Sequence, residues 1–212
     1  MSELDYQIVQ DHLASLVPPR EQEMKEMEAY AAKNNFPIIG PACGYYCYQL
    51  ARMIGAKSIF ELGSGFGYST AWFAKAVREN GGGLVHHTVW DEELSKSASR
   101  HLSKLGFEGF VQYHNAEAVA TLRQTDGPFD IIFNDIEKQD YPASLDVIKE
   151  KLRSGGLLII DNMLWSGRIF DEKDVTPATE GVREFTRRIT TDTDWIVSLT
   201  PVRDGIIVAY KK

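Results

Sequence analysis

A single stretch, residues 58–70, constrains the fold more than any other part of the chain. It joins a short apolar run, Ser58 to Leu62, through three alternating glycines to a helical pattern that begins at Tyr68. The apolar run predicts a buried strand, and glycine allows a tight turn with positive φ and no obstructing Cβ. Such a turn presents backbone N–H groups to a ligand near the positive end of the helix dipole. We therefore expect a ligand-binding turn at the edge of an α/β sheet.

The spacing of the glycines favours one class of ligand. The residues Glu61, Gly63, Gly65 and Gly67 fit the pattern E-x-G-x-G-x-G, which is typical of S-adenosylmethionine enzymes. The dinucleotide pattern G-x-G-x-x-G needs its third glycine one residue later, which disfavours an NAD-dependent dehydrogenase. On this motif alone, glycines that serve only a tight turn remain an alternative.

Strands and helices alternate along the rest of the chain. Alternation of this kind predicts a mostly parallel sheet covered by helices on both faces. The predicted strands are 58–62, 84–89, 110–113, 129–134 and 156–161, with helices between them. After a helix at 179–190, two more strands, 194–199 and 205–210, flank the turn signal Asp204-Gly205 and predict an antiparallel hairpin.

The first forty residues predict a helical extension to a core that spans residues 41–212, within a single domain of 1–212. Its helices carry apolar residues at helical spacing, as does a third helix that leads into the first strand. The extension is expected to form a lid, a substrate wall, a dimer contact or a simple cover for the sheet. The predicted apolar faces are Tyr6, Val9, Leu13 and Leu16, then Met24, Met27 and Ala31, then Tyr46, Leu50 and Met53.

Overall charge and composition narrow the class of protein. The net charge of −7 argues against broad binding to nucleic acid or anionic membranes, although a local basic groove stays open. Cys43 and Cys47 lack a second pair and a nearby histidine, so we expect packed thiols rather than zinc ligands. With no secretory pattern and no apolar run near 18 residues, we expect a cytoplasmic enzyme.

Oxygen-bearing side chains follow two of the predicted strands. Asp135 comes after the fourth strand, and Asp161 and Asn162 follow the fifth. Ligands of open parallel sheets bind beyond the carboxyl ends of the strands. Hard oxygen donors of this kind suit Mg²⁺, Mn²⁺ or Ca²⁺. The alternative is that these residues only cap turns and helices.

Two further residues near this edge have chemical interest. Lys138 stands three residues after Asp135, and a lysine beside a metal in a partly dry pocket can accept a proton. Trp165 follows Asn162 and offers an aromatic wall for a flat substrate. The alternatives are a solvated surface charge for the lysine and packing at the sheet edge for the tryptophan.

Four ordered motifs make the chain resemble a known family from about Pro37 to the C-terminus. It resembles the cation-dependent O-methyltransferases typified by catechol and caffeoyl-CoA O-methyltransferases, in their small bacterial form. The resemblance implies a Rossmann-like, S-adenosylmethionine-dependent methyltransferase fold, with a seven-stranded sheet whose last strand is antiparallel. The motifs are Phe60–Ser69, Phe129–Tyr141, Ile160–Gly167 and Pro201–Gly205.

The resemblance also implies roles for individual residues. Asp135, Asp161 and Asn162 match the metal ligands, and Lys138 matches the proposed base, with Asp135 as its catalytic neighbour. Trp165 is assigned to the substrate. The residues assigned to S-adenosylmethionine are Glu61, Gly63, Ser64, Gly65, Ser69, Asp91, Ala116 and Asp135.

One departure from the family pattern concerns the cofactor. The family usually has an acidic residue at the end of the second strand, where it holds the ribose hydroxyls. Here that position is Val89, followed by Trp90. Asp91, two residues on, is the residue that would substitute through a bulge.

The leading functional hypothesis is a metal-dependent O-methyltransferase that acts on a small catechol-like or other vicinal-diol phenol, as a homodimer. A second keeps the enzyme and changes the acceptor to a hydroxylated wobble uridine of tRNA, which the acidic charge disfavours. A third is a nucleotide-binding module with weak or lost methyltransferase activity.

Overall fold

The computed structural model describes residues 6–212, and a seven-stranded sheet runs through its centre. The strands are β1 (Ser58–Leu62), β2 (Leu84–Thr88), β3 (Val111–His114), β4 (Phe129–Asn134), β5 (Leu152–Ile160), β6 (Trp195–Thr200) and β7 (Ile206–Lys211). The sheet order is β3-β2-β1-β4-β5-β7-β6, with β7 antiparallel to both of its neighbours and the pairs among β1 to β5 parallel. The predicted α/β class, with an antiparallel last strand, is confirmed.

Helices cover both faces of the sheet. The helices are α1 (Tyr6–Ser15), α2 (Gln22–Asn34), α3 (Gly40–Met53), α4 (Tyr68–Glu79), α5 (Glu92–Lys104), α6 (Ala118–Gln124), α7 (Tyr141–Lys151) and α8 (Pro177–Thr191). Successive residues of a central strand point to opposite faces. Ile131 and Phe133 join the core beneath α3, α4 and α5, whereas Ile132 joins the core beneath α6, α7 and α8. Burial on both sides explains the unbroken apolar runs in the strands.

The apolar face predicted for α3 was wrong at Met53, whereas Tyr46 and Leu50 are partly buried and pack against the core. Met53 is 73 % exposed, and the helix instead buries Cys43, Cys47 and Ala51 together with Gly44. A Cβ at Gly44 would lie 2.2 Å from Nε1 of the Trp72 indole. The small residues of α3 therefore let α4 approach closely, and small side chains are easily missed in a search for large apolar ones.

One strand boundary and the burial of the first helix also differ from the prediction. β5 begins at Leu152 rather than at 156, because its pairing with β4 shifts register between Phe129 and Ile131. A polar stretch with glycine fills this irregularity, as is common in bulged strands. The first helix, α1, buries none of its residues, and Leu16, predicted on its apolar face, is 64 % exposed. No helix within residues 6–212 is long and apolar enough to cross a lipid bilayer.

Candidate active site

Three neighbouring strands end at the same level and define one edge of the sheet. Leu62 of β1 pairs with Asn134 of β4, which pairs with Ile160 of β5. The next residue of each strand therefore stands at a common rim, beyond the carboxyl ends where ligands of such sheets bind. These next residues are Gly63, Asp135 and Asp161.

The glycine turn after β1 has no room for side chains. Gly63, Gly65 and Gly67 have φ values of +85°, +51° and +90°. A Cβ at Gly63 would lie 2.5 Å from the backbone oxygen of Asp135, and one at Gly67 would lie 2.9 Å from the Cβ of Ala98. The bare backbone thus fits closely between β4 and α5.

Ser64 ties this turn to the end of β2. Its backbone N–H donates to the carbonyl of Thr88, and its Oγ accepts from the N–H of Thr88, both at 2.9 Å. Helix α4 starts four residues later, at Tyr68, so its N-terminus faces the same space. The predicted strand, turn and helix therefore form one rigid ligand-binding edge.

A cavity of about 500 Å³ opens above this edge. Its lining includes most of the residues that the sequence assigned to a cofactor, a metal or a substrate. Those lining residues are Gly63, Ser64, Gly65, Ser69, Ala116, Asp135, Lys138, Asn162 and Trp165.

Three of the assigned residues lie outside the cavity lining. Glu61 is fully buried below the glycine turn, and Asp161 is fully buried at the rim. Asp91 caps helix α5, because its Oδ1 accepts from the N–H groups of Glu93 at 2.8 Å and Leu94 at 3.0 Å. A role for Asp91 at the cofactor ribose stays a prediction.

Glu61 belongs to a buried polar network beneath the turn. Its Oε2 accepts from the hydroxyl of Thr70, whose Oγ1 lies 3.0 Å from Nδ1 of His87. Burial raises the pKa of Glu61 to about 7, and the nearby charge of Asp135 adds to this shift. Burial likewise lowers the pKa of His87 to about 3, so the imidazole is neutral. The hydroxyls that oppose the shift of Glu61 are Ser69, Thr70 and Ser64.

We expect the substitution Glu61→Gln to remove a pH dependence of stability. The folded chain favours protonated Glu61, so this contribution is complete below the unfolded pKa of 4.5 and is lost as pH rises through about 7. Between pH 5 and pH 8 the variant should gain about 2 kcal/mol of unfolding free energy relative to the unsubstituted protein. Denaturant unfolding at the two pH values measures it, with the exposed Glu26→Gln as control. Parallel pH profiles for all three proteins would contradict the shift.

Lys138 is a buried ammonium group rather than a solvated one. Its Nζ donates to Oδ1 of Asp135 at 2.7 Å and to the carbonyl of Ile136 at 3.1 Å, and the residue is 9 % exposed. The same nitrogen lies 5.1 Å from the ring centre of Tyr141 and 5.9 Å from that of Trp165. The cavity thus holds a positive charge between a carboxylate and two aromatic faces.

Asp161 is the least accessible charged group of the rim. Its Oδ2 pairs with Nη1 of Arg203 at 2.6 Å, and its Oδ1 has no hydrogen-bond partner among residues 6–212. Burial raises the pKa of Asp161 to about 7, and the negative charge of Asp135 adds to this. Next to it, Asn162 has a φ of +60° and donates from Nδ2 to Asp204 at 3.2 Å.

Comparisons with known proteins bear directly on this site. A family model described as O-methyltransferase matches residues 15–212. The catechol O-methyltransferase of Niastella koreensis is 31 % identical over 183 residues, which cover 82 % of each chain. Caffeoyl-CoA O-methyltransferase 2 of Populus trichocarpa is 29 % identical over 94 % of this chain and 86 % of its own.

The chain belongs to the O-methyltransferase family. A crystal structure of the Bacillus cereus O-methyltransferase is similar in fold, with a TM-score of 0.87, 26 % identity and 97 % of each chain covered. The resemblance drawn from the four motifs is confirmed, and so is the prediction of an O-methyltransferase rather than a dehydrogenase.

The cavity of this O-methyltransferase is also lined by residues to which the sequence gave no role, and by Val89 and Trp90, which stand where the family has its ribose-binding acid. The segment 36–39 forms one wall, so the N-terminal extension contributes to the site. Thr88, Val89 and Trp90 line the cavity at the end of β2, and Trp90 is 73 % exposed. Arg203 lines it as well. Arg203 lies within the motif Pro201–Gly205, which marked the loop as notable but gave no signal for an ion pair with Asp161.

Proposed function

We propose that this enzyme transfers the methyl group of S-adenosylmethionine to one hydroxyl of a catechol or another vicinal-diol phenol, with a divalent cation held by Asp135, Asp161 and Asn162. The observation that carries the proposal is the buried Oδ1 of Asp161, which has no partner in the described part of the chain and lies at the rim that Asp161 shares with Asp135. Lys138 adjoins this pair through Asp135.

The glycine turn supports the proposal that S-adenosylmethionine is the methyl donor. A bare backbone at Gly63 and Gly65, followed by the N-terminus of α4, suits the charged methionine end of S-adenosylmethionine. The Bacillus cereus relative was crystallised with SAH, and TomG of Streptomyces achromogenes, 23 % identical with a TM-score of 0.87, with SAM. Trp90 and Ala116 also line the cavity, and they follow β2 and β3, which lie on the other side of β1 from β4 and β5. We place the adenosine there.

The oxygen donors at the rim suit a hard divalent cation such as Mg²⁺ or Mn²⁺. A buried carboxylate oxygen with no partner is costly, and ligation would satisfy Oδ1 of Asp161. When bound, such a cation favours the ionised form of a coordinated hydroxyl and fixes its orientation.

The chain's own residues then carry the remaining steps. Lys138 first gives up its ammonium proton to solvent and then accepts the proton of the reacting hydroxyl, while Asp135 holds its amine in place. Trp165 and Ile38 wall the acceptor side and exclude water. The phenolate oxygen forms a bond to the methyl carbon as the sulfonium C–S bond breaks in line, which leaves S-adenosylhomocysteine. Orienting the two reactants supplies a large part of the rate.

A panel of acceptors tests this proposal. We expect methyl transfer to 1,2-dihydroxybenzenes and at least about a hundredfold less to 1,3-dihydroxybenzene and phenol, because only neighbouring hydroxyls chelate one cation. EDTA should abolish transfer and excess Mg²⁺ should restore it, as measured by chromatography of the methylated products. Equal turnover with and without EDTA would contradict the requirement for a divalent cation. Turnover of a tRNA with hydroxylated uridine, and of none of the diols, would show that the acceptor is tRNA rather than a small diol.

We include a homodimer in the proposal. Helix α1 buries none of its residues within one chain, and its Ile8 and the following Leu16 are each 64 % exposed. An apolar helix face of this kind favours cover by a second copy. Light scattering should give twice the chain mass of 23.9 kDa, and a mass of one chain would contradict the dimer.

A further inference from the structure

Arg203 is held in an unusual backbone conformation beside the rim. It lies in the loop between β6 and β7 with a φ of +52°, which non-glycine residues adopt rarely. Helix α1 fixes it from both sides: its N–H donates to Oε1 of Gln10 at 2.6 Å, and its carbonyl accepts from the hydroxyl of Tyr6. The backbone of Arg203 is thus fixed by contacts that do not involve its side chain.

The loop also packs tightly on the segment after β5. A Cβ at Gly205 would lie 2.6 Å from Cγ of Leu164, and the N–H of Leu164 donates to the carbonyl of Asp204 at 2.8 Å. The guanidinium of Arg203 is therefore directed at the rim, where Nη1 meets Oδ2 of Asp161.

The charges at the rim are already balanced in pairs. Asp135 is paired with Lys138 at 2.7 Å, and Asp161 is paired with Arg203 at 2.6 Å. A divalent cation on Oδ1 of Asp161 would share one carboxylate with a guanidinium and be repelled by it. A further carboxylate, Asp204, accepts hydrogen bonds from Asn162 and from the N–H of Ser166. Replacing Arg203 leaves the charge of Asp204 unchanged.

We infer that Arg203 is an internal counter-cation of the proposed metal site. It stabilises the buried charge of Asp161 while the metal is absent, and it weakens the binding of the metal. The inference rests on the proposed cation ligands but not on the identity of the methyl acceptor. A positioning role alone would have the opposite sign, because loss of a residue that only orients a ligand lowers metal affinity.

The test compares the unsubstituted protein with three variants by isothermal titration with Mn²⁺ and by thermal unfolding without metal. Arg203→Met should bind Mn²⁺ about tenfold more tightly than the unsubstituted protein, which is about 1.4 kcal/mol. It should also unfold roughly 5–15 °C lower without metal, because a buried carboxylate loses its partner. Arg203→Lys keeps the charge and should keep the weak binding. The surface control Arg187→Met, whose side chain is 65 % exposed, should change neither value.

The outcomes separate this inference from the function proposed above. Tighter Mn²⁺ binding in Arg203→Met, but not in Arg203→Lys, supports it. Equal or weaker binding in Arg203→Met overturns it while the metal site stands, and absence of binding in all the proteins overturns both. If Arg203→Met does not fold, Arg203→Gln, which retains a neutral donor for Asp161, answers the same question.

Discussion

Replacing Asp135 by alanine is expected to lower cation-stimulated methyl transfer about a thousandfold or more. The change removes one of the two carboxylates proposed to hold the cation and the acceptor of the 2.7 Å hydrogen bond from Lys138. The side chain is 27 % exposed, and the backbone bond from Asp135 N–H to the carbonyl of Leu62, at 2.8 Å, remains. The fold should therefore persist.

Turnover of a vicinal diol at saturating Mg²⁺, together with circular dichroism and the melting temperature, measures this expectation. Asp140→Ala is the matched control, because Asp140 is an exposed aspartate five residues further along the same connection and its side chain caps no helix. It should stay within about twofold of the unsubstituted enzyme. Unchanged turnover in Asp135→Ala would count against the metal site, whereas loss of structure would show a packing role.

The rim was predictable from the sequence because it depends on strand order and strand direction. Alternating strands and helices imply parallel strands, and parallel strands end at one edge, so Asp135 and Asp161 were expected together if β4 and β5 were neighbours. The structure makes them neighbours, with Asn134 opposite Ile160. The glycine turn was equally predictable, since its conformation is set locally by Gly63 and the two glycines that follow.

The ion pair at the rim was not predictable in the same way. Arg203 and Asp161 are 42 residues apart, and their contact requires a positive φ at Arg203 and an anchor from α1. None of these conditions leaves a periodic pattern. The sequence left several roles open for the N-terminal extension for a similar reason. A connection between two helices, such as 36–39, has no repeating signal that shows which surface it covers.

Two polar residues, Asp91 and Lys138, each had a functional and a purely structural interpretation in the sequence. Asp91, the candidate for the ribose, follows a strand and precedes a helix, a position that equally suits a helix cap. The structure shows the cap. This cap leaves a role for Asp91 at the ribose a prediction. For Lys138 the alternative was an ordinary surface charge, which is wrong because the structure buries the amine against Asp135. Its role as a base stays a prediction.

Replacing Gly63 by alanine is expected to lower both the stability of the protein and its affinity for S-adenosylhomocysteine, through one contact with Asp135. Gly63 has a φ of +85°, and an added Cβ would lie 2.5 Å from the backbone oxygen of Asp135. Backbone strain of about 1 kcal/mol and overpacking of about 1–3 kcal/mol should lower the melting temperature by roughly 5–15 °C. The same displacement moves the glycine turn and Asp135, the proposed metal ligand, apart, so S-adenosylhomocysteine should bind about tenfold or more weakly.

Gly81→Ala separates strain from contact in this experiment. Gly81 has a similar φ of +91°, but an added Cβ there would meet no atom of the described residues, 6 to 212, within 4 Å. It should lose only about 2–4 °C and bind S-adenosylhomocysteine normally. Calorimetric titration and thermal unfolding of both variants decide the matter: equal melting temperatures and equal affinities would mean that β1 and β4 are not interlocked at Gly63. A larger loss in Gly63→Ala on both measures would show that the cofactor turn and the acidic rim are held as one unit.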